Sequence, residues 1–510
     1  MDGSAGPGGG TSCVTRPHPE QRKAMPSLVS LCTQKVVSDQ ASLRMMLDSI
    51  PCDLYRPLFT AAFLRRKTLI LQDLVQQWPF SNLSFQELLS GNLSQFHLFS
   101  NRVSMEAIIR GVVAYLSDAL SRESQERRQR LRIIDMTNVC SFNLNEDHKS
   151  LCSHMETPAK ACIDLDKRCR DEATQARKRS DFTLAPQTSL NNIYVEVWID
   201  IFKYNKMYPI LKEALQASVH ASVHGPLRLC CRNLYVCMHP LCNSVELLEL
   251  LNPAGVRMIE LFNIPPGELN IILPTMVKFS SLRSLALSFC LDSIQRLTCN
   301  TEDTMKKFTT LFGQLRSLKE LKLEFAFLSG CLQQLLGGIQ EPLENLELGH
   351  CVLLPEDLYY LSESPHISTL KKLNLKDHNL SEHLLPPFLQ LLVAISSSLR
   401  FLDISMCQIS DHTLSVLVPA LSRCSHLRCL VIAINPLSTQ ELRSLSQNCV
   451  HLQELQLVVN SWPHGCYFGG PLSDFLAELK EILVRAERTD IVWTSNMSVL
   501  QNPVYKNLWR

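Results

Sequence analysis

LRFLDISMC (399–407), LRCLVIAIN (427–435) and LQELQLVVN (452–460) share one spacing. Each places aliphatic residues first, fourth and sixth and closes on Cys or Asn at the ninth position: Leu399, Leu402, Ile404 and Cys407; Leu427, Leu430, Ile432 and Asn435; Leu452, Leu455, Leu457 and Asn460. The fourth and sixth residues alternate at period two, as a short strand requires. The closing Cys or Asn turns the chain, and its side chain can satisfy backbone groups freed at the turn. Between such strands lie apolar residues three and four apart, as in TLSVLVPALSRC (413–424), the mark of a helix. A strand, turn and returning helix cannot bury their own apolar face and must stack on copies of themselves.

Working outward, the same template appears at Leu343, Leu346, Leu348 and Cys351, and at Leu282, Leu285, Leu287 and Cys290. Two copies are imperfect. Leu318, Leu321 and Leu323 end at Ala326, and Leu370, Leu373 and Leu375 end at His378, with Asn379 one place late. A further copy begins at Val256, with Ile259 and Leu261. First positions therefore step by 26, 36, 25, 27, 29, 28 and 25 residues, all but one within the roughly 20–29 of a leucine-rich repeat. The long step carries DSIQRLTCNTEDT (292–304), expected to be a loop. Residues 256–460 thus read as regular repeats of an α/β leucine-rich repeat solenoid, a horseshoe of parallel strands with helices on the convex side.

Upstream the pattern fades without stopping. LRIIDM (131–136), VEVWIDI (195–201) and PLRLCCRNL (226–234) look like strand starts, so 126–255 read as degenerate repeats. They are interrupted at 140–190 by a polar stretch containing KRCRDEATQARKRSD (167–181), read as an inserted loop. Downstream, SWPHGCYFGGPL (461–472) breaks the repeat and DFLAELKEILVRAE (474–487) is an amphipathic helix, so 461–510 form a C-terminal cap. Residues 1–25, rich in Gly, Pro and Ser, read as a disordered tail. Residues 26–125 read as a helical segment with no repeat.

Composition narrows the function classes. The net charge is +1, from 50 basic and 49 acidic residues, which gives no basic excess for nucleic acid. No uninterrupted apolar run of about 18 residues and no basic-then-apolar leader is found, so neither membrane insertion nor export is expected. The 20 cysteines are then reduced and mostly buried as small apolar residues, in a cytoplasmic protein, with the nucleus open as a second compartment through the basic run at 167–181. No Gly-rich phosphate loop, G-x-S-x-G or HExxH occurs, so no enzyme and no cofactor are expected. His148, Cys152, His154, Cys162 and Cys169 cluster in the polar stretch, but their spacing matches no standard zinc pattern.

The segment before the repeats has its own signals. SLVSLCTQKVV (27–37) puts Leu28, Cys32 and Val36 on one helix face, and IPCDLYRPLF (50–59) does the same for Ile50, Leu54 and Leu58. Pro51 suits a first turn, and Pro57 should kink or end that helix. TLILQDLVQQWPF (68–80) and MEAIIRGVVAYLSDAL (105–120) give two more helices.

IPCDLYRPLFTAAF followed by LVQQWPF and SFQELL, then LRIIDM, PLRLCCRNL, the repeats and DIVWTSN (490–496), resembles the PRAME family (preferentially expressed antigen in melanoma) over nearly everything after residue 26. The resemblance implies a substrate receptor of a cullin 2 ubiquitin ligase. A BC-box would dock elongin C, in complex with elongin B, through Ser27, Leu28, Cys32 and Val36. A cullin box would dock cullin 2 through Ile50, Pro51, Leu54 and Leu58. By composition alone the first pattern arises about 0.2 times per chain, and the second within the following ~20 residues about 3% of the time. Plain amphipathic helices facing the repeat core would show the same spacing. The resemblance carries a second implication, a scaffold that transfers no ubiquitin and dampens Toll-like receptor and NF-κB signalling by holding a subunit of the inhibitor-of-κB kinase complex.

Whichever applies, a client protein belongs on the concave face, where the x residues of each strand point. The candidates are Lys319, Glu320 and Lys322, then Glu344 and Glu347, then Lys371 and Lys372, then Phe401. This face reads as passing from mixed to acidic to basic to partly apolar, which suits a partner of complementary charge. Solubility alone would also put charges there.

Overall fold

The computed structural model describes residues 28–89, 102–121, 131–138, 148–179, 193–203, 207–219, 225–237, 242–265, 268–290, 302–326, 328–381, 383–461 and 470–501, with Tyr505 and Leu508. Among them, thirteen strands form one parallel sheet in strict sequence order. They are β1 (Asn82–Ser84), β2 (Ile133–Asp135), β3 (Val195–Lys203), β4 (Leu227–Cys237), β5 (Met258–Ile264), β6 (Ser284–Phe289), β7 (Glu320–Glu324), β8 (Asn345–Glu347), β9 (Lys372–Asn374), β10 (Phe401–Asp403), β11 (Cys429–Val431), β12 (Leu457–Val459) and β13 (Val492–Thr494). Each strand pairs only with its neighbours in sequence, and helices run between them, as stacked repeats demand. The template leucines sit on one face: Leu285, Leu346, Leu402 and Leu430 are all buried in a single core. The fold is an open leucine-rich repeat solenoid behind an α-helical N-terminal segment.

The sheet runs further than the sequence suggests. The helical segment does contain a repeat strand: Phe80, Leu83 and Phe85 keep the L-x-x-L-x-L spacing, with aromatics at the outer positions. Both Arg132 N and Ile133 N donate to Ser81 O. The same double donation to the second position recurs at Lys319, Glu344, Lys371 and Arg400. At the far end the register differs from the template reading. Leu430 pairs with Val458, and Gln456 N and Leu457 N donate to Arg428 O. The last repeat therefore begins at Leu455, with Val458 in the core, and Leu457 turns to the concave side. Leu452 is buried, but at the end of the preceding helix, where Leu452 N bonds Cys449 O. Only Leu452, Leu455 and Leu457 fill the template with aliphatics, but the shifted set, Leu455, Val458 and Asn460, is the one that places Val458 against Leu430.

The polar stretch is also different. His148–Arg179 is a helix, not a loop. Met155, Ala159 and Cys162 are buried at helical spacing, with Ile163 and Leu165 beside them. The helix packs on the next one, Tyr208–Val219, and on β3 and β4. Within the charged run, Lys167, Arg168, Arg170, Asp171 and Glu172 are exposed on this long amphipathic helix, and 180–181 lie outside the described residues. Residues 291–301 lie outside the described residues, and 302–304 already belong to the helix Glu302–Gln314.

The turn positions do the work their chemistry allows. Asn435 Nδ2 donates to Ile404 O and Ile432 O at 3.0 Å, while its Oδ1 accepts from Cys407 N and Ile409 N. Cys351 and Cys407 donate their thiols to Leu323 O and Leu375 O in the preceding repeat. His378 substitutes for Asn: its Nδ1 lies 2.9 Å from Leu375 O, while Asn379 is exposed. Burial pushes the His378 pKa down, and hydrogen bonds to Leu375 and Lys376 only partly oppose this, so the ring stays neutral near pH 7.

Immediately before five of the turn residues the backbone is left-handed. Phe325, His350, Asp377, Met406 and Ile434 all have φ between 57° and 64°. For L-residues this conformation costs about 1–2 kcal/mol, least for Asn. Ile434 is 59% exposed, so its β-branched side chain recovers little by packing. Ile434→Asn should therefore stabilise the protein by about 1 kcal/mol in urea denaturation.

Candidate docking surfaces

In the N-terminal segment, helix α1 (Leu28–Val36) buries Thr33 and, just past its end, Val37. The residues i, i+4 and i+8 from Leu28 face away from this contact. Leu28 is 76% exposed and Val36 41%, and Cys32 is exposed between them. Ser27 lies outside the described residues. The apolar stripe read as a BC-box is thus turned to solvent, with Leu31 beside it.

The cullin-box residues divide. Ile50 is half-buried against the core and Pro51 is exposed, capping the next long helix, Cys52–Leu64. Leu54 is 37% exposed, but Leu58 is 2% exposed and points inward. Leu58 cannot touch a partner in this conformation; it holds the helix that presents Leu54. That helix continues through Pro57 rather than ending there. Phe59, Ala62 and Phe63 behind the proline are buried, and their burial offsets the lost backbone bond. Aromatic edges lock the base: Phe59 meets Trp78 at 5.6 Å and Phe63 meets Phe85 at 5.7 Å between ring centroids. Arg44 grips Asp73 through two bonds of 2.6 and 2.9 Å, tying Gln40–Met46 to the helix Thr68–Gln76.

On the concave face most of the candidate charges are paired within the protein. Lys371 meets Glu344 at 2.5 Å and Lys372 meets Glu347 at 2.6 Å, each across to the preceding strand. Lys322 lies 3.1 Å from Glu324 and 3.9 Å from Glu260, and Lys319 lies 3.4 Å from Glu341. Glu320 is half-buried on β7 opposite Asn345. Burial pushes Glu347 up, but Lys372 and Lys322 outweigh it and hold the carboxyl below its ordinary range. Burial pushes Lys322 down, but Glu347, Glu324 and Glu260 outweigh it and hold the ammonium above its ordinary range. The middle of the face is therefore a neutralised ladder, not a passage from acidic to basic.

Phe401 is corrected more sharply. It is 4% exposed, in a cluster with Cys429, Val431, Leu457 and Val459. Met497, Val499, Leu500, Tyr505 and Leu508 pack over that cluster, and Arg428 Nη1 donates to Leu508 O at 3.2 Å. Lys372 closes its edge, 4.9 Å from the Phe401 ring centroid. The apolar end of the concave face is covered by the chain's own C-terminal residues.

Among the described residues, no group of three or more His, Cys, Asp or Glu could hold a metal ion. Burial pushes the thiols of Cys407, Cys424 and Cys449 up to about 12, so they stay protonated. No helix among the described residues is long and apolar enough to cross a membrane.

Comparison with known proteins fits this architecture. The PRAME N-terminal domain matches residues 25–143 and the PRAME C-terminal domain matches residues 211–501. Leucine-rich repeat-containing protein 14 of Xenopus laevis is 45% identical, over 93% of this chain and 98% of its own length. The human protein of that name is 34% identical with the same coverage. Human PRAME family member 8 is 28% identical, over 90% of this chain and 92% of its own. Among solved structures, the leucine-rich repeat protein LegL7 of Legionella pneumophila aligns over 59% of this chain and 89% of its own, at TM-score 0.38 and 15% identity. With both halves matched by PRAME domains and relatives named leucine-rich repeat-containing protein 14 aligned over nearly their full length, the chain belongs to the PRAME family of leucine-rich repeat proteins.

Proposed function

We propose that this protein is a substrate-recognition subunit of a cullin 2–elongin B/C ubiquitin ligase, with no active site of its own. Helix α1 docks elongin C through Leu28, Cys32 and Val36, with Ser27 ahead of them. The turn at Ile50 and Pro51, together with Leu54, meets cullin 2, and the repeats hold the client. The observation that carries the reading is the solvent-facing stripe of α1. A leucine 76% exposed on a helix anchored by its other face is unsatisfied apolar surface, of the kind that fills a partner's groove.

The test is co-purification from cells. Leu28→Ala with Cys32→Phe should abolish capture of elongins B and C while leaving the melting temperature unchanged, since both side chains are exposed. Ile50→Ala with Pro51→Ala should spare the elongins and weaken cullin 2. Wild-type protein that captures no elongin would sink the ligase reading. It would leave a scaffold that holds its client without transferring ubiquitin, an inhibitor-of-κB kinase subunit being the candidate to probe first.

A further inference from the structure

The concave face divides into stretches that differ in how well they are satisfied. Over β5 to β9 the charges pair within the protein, and over β10 to β12 the C-terminal residues cover the apolar side chains. At the β2–β4 end, among the described residues, Arg228 and Arg232 on β4 have neither an acidic partner nor a covering segment. Here Tyr194, Glu196 and Trp198 on and before β3 stand beside Arg228 and Arg232 on β4, all half-buried rather than covered. The Arg228 guanidinium lies 3.7 Å from the Tyr194 ring centroid, with Arg132 at 5.6 Å from the same ring. Arg232 lies 4.4 Å from the Trp198 ring centroid. The far edge of that ring rests on Gly255, where an added Cβ would come within 2.8 Å of it. The aromatic platform is thus held from behind.

Neither Arg228 nor Arg232 forms an ion pair with any described residue. Arg228 Nε is moreover buried with no hydrogen-bond partner, an orphan donor that ordinarily costs stability. The nearby acids are otherwise engaged. Glu196 accepts the Trp198 indole N–H at 3.1 Å, Asp135 accepts from Thr137, and buried Asp200 accepts from Asn138 N and from Asn233. Arg232 is also the extra residue of a β-bulge, since the pairing with β3 skips from Cys231 to Asn233. Bulges re-aim side chains and gather beside functional sites. A guanidinium stacked on a ring keeps its N–H fork free in the ring's plane, the geometry that grips a carboxylate through two bonds.

Resting on the reading of the repeats as a client-binding face, we propose that its β2–β4 end docks a carboxylate-rich, extended segment of the client, gripped by Arg228 and Arg232. Four residues apart on one strand, Arg228 and Arg232 leave the backbone about 13 Å apart. An extended peptide matches that span with carboxylates at i and i+4, as alternating Glu supplies.

The probe is a fluorescein-labelled twelve-residue peptide of alternating Glu and Ser, titrated with the full chain and followed by anisotropy at low salt. The same peptide with Gln for Glu is the control. The Glu peptide should bind at least about tenfold more tightly than the Gln peptide, and Arg228→Ala with Arg232→Ala should remove that difference. Arg423→Ala, an exposed arginine on the helical side, should leave it intact. Equal binding of the two peptides, or wild-type affinity in the alanine variant, would overturn the proposal. If the alanine variant does not fold, Arg228→Lys with Arg232→Lys decides. A loss of about threefold or more supports the two-bond grip, and wild-type affinity overturns it. None of these positions lies on α1, so elongin capture and peptide binding can fail independently.

Discussion

Leu402→Asp should leave no cooperatively folding protein. Leu402 is fully buried, paired with Leu373 on one side and Leu430 on the other. Truncating a buried leucine costs about 3–5 kcal/mol. A carboxylate in its place adds several kcal/mol more, because the surrounding core provides no donor to meet it. Against a stability of about 5–15 kcal/mol, that sum is decisive. In a solenoid the damage also spreads, since each repeat is stabilised chiefly by its neighbours. The variant should elute as aggregate or lose its thermal transition in circular dichroism. The exposed control Arg423→Asp should change the midpoint by little more than error. A soluble Leu402→Asp chain melting like wild type would contradict the register of the whole sheet.

Removing residues 497–510 should have the second-largest effect. Phe401, Cys429, Val431, Leu457 and Val459 lie at concave positions that are solvated in the middle repeats, and here the C-terminal side chains cover them. Each side chain returned to water loses about 1.5–3 kcal/mol if it was fully buried. Those at the margin lose less, so the net cost is several kcal/mol. The truncated chain should melt well below wild type and bind the apolar dye ANS in its folded state. Tyr505→Ala with Leu508→Ala should give the same change at smaller size. An unchanged midpoint with no dye binding would mean that the segment adds nothing to the fold.

The repeats were legible because the period of their leucines is imposed by stacking, which tolerates few alternatives. Leu282 to Leu430 lie where the template puts them. What escaped has a physical reason in each case. At Phe80, Leu83 and Phe85 aromatics fill the leucine positions, and the flanking helices mask the strand. At the last repeat, Leu452, Leu455 and Leu457 satisfy the template one turn early, and only pairing of Leu430 with Val458 selects the other register. At 148–179 the charged outer face outweighed the buried spacing of Met155, Ala159 and Cys162. Spacing also put Leu54 and Leu58 on one helix face without telling which of them meets solvent. The pairing of Lys371 and Lys372 with Glu344 and Glu347 depends on neighbouring strands, so no single repeat reveals it. The arginine–aromatic platform of β2 to β4 escaped for the same reason, since Tyr194 and Arg228 meet only across two strands.

The most direct test of the protein as a ligase receptor uses purified components. Full-length chain is mixed with recombinant elongin B/C and analysed by size-exclusion chromatography with light scattering. A complex of one copy of each is expected, lost in Leu28→Asp and retained in Thr33→Ser, whose side chain faces inward. Separate elution of wild-type protein and elongin B/C at micromolar concentrations would contradict the account.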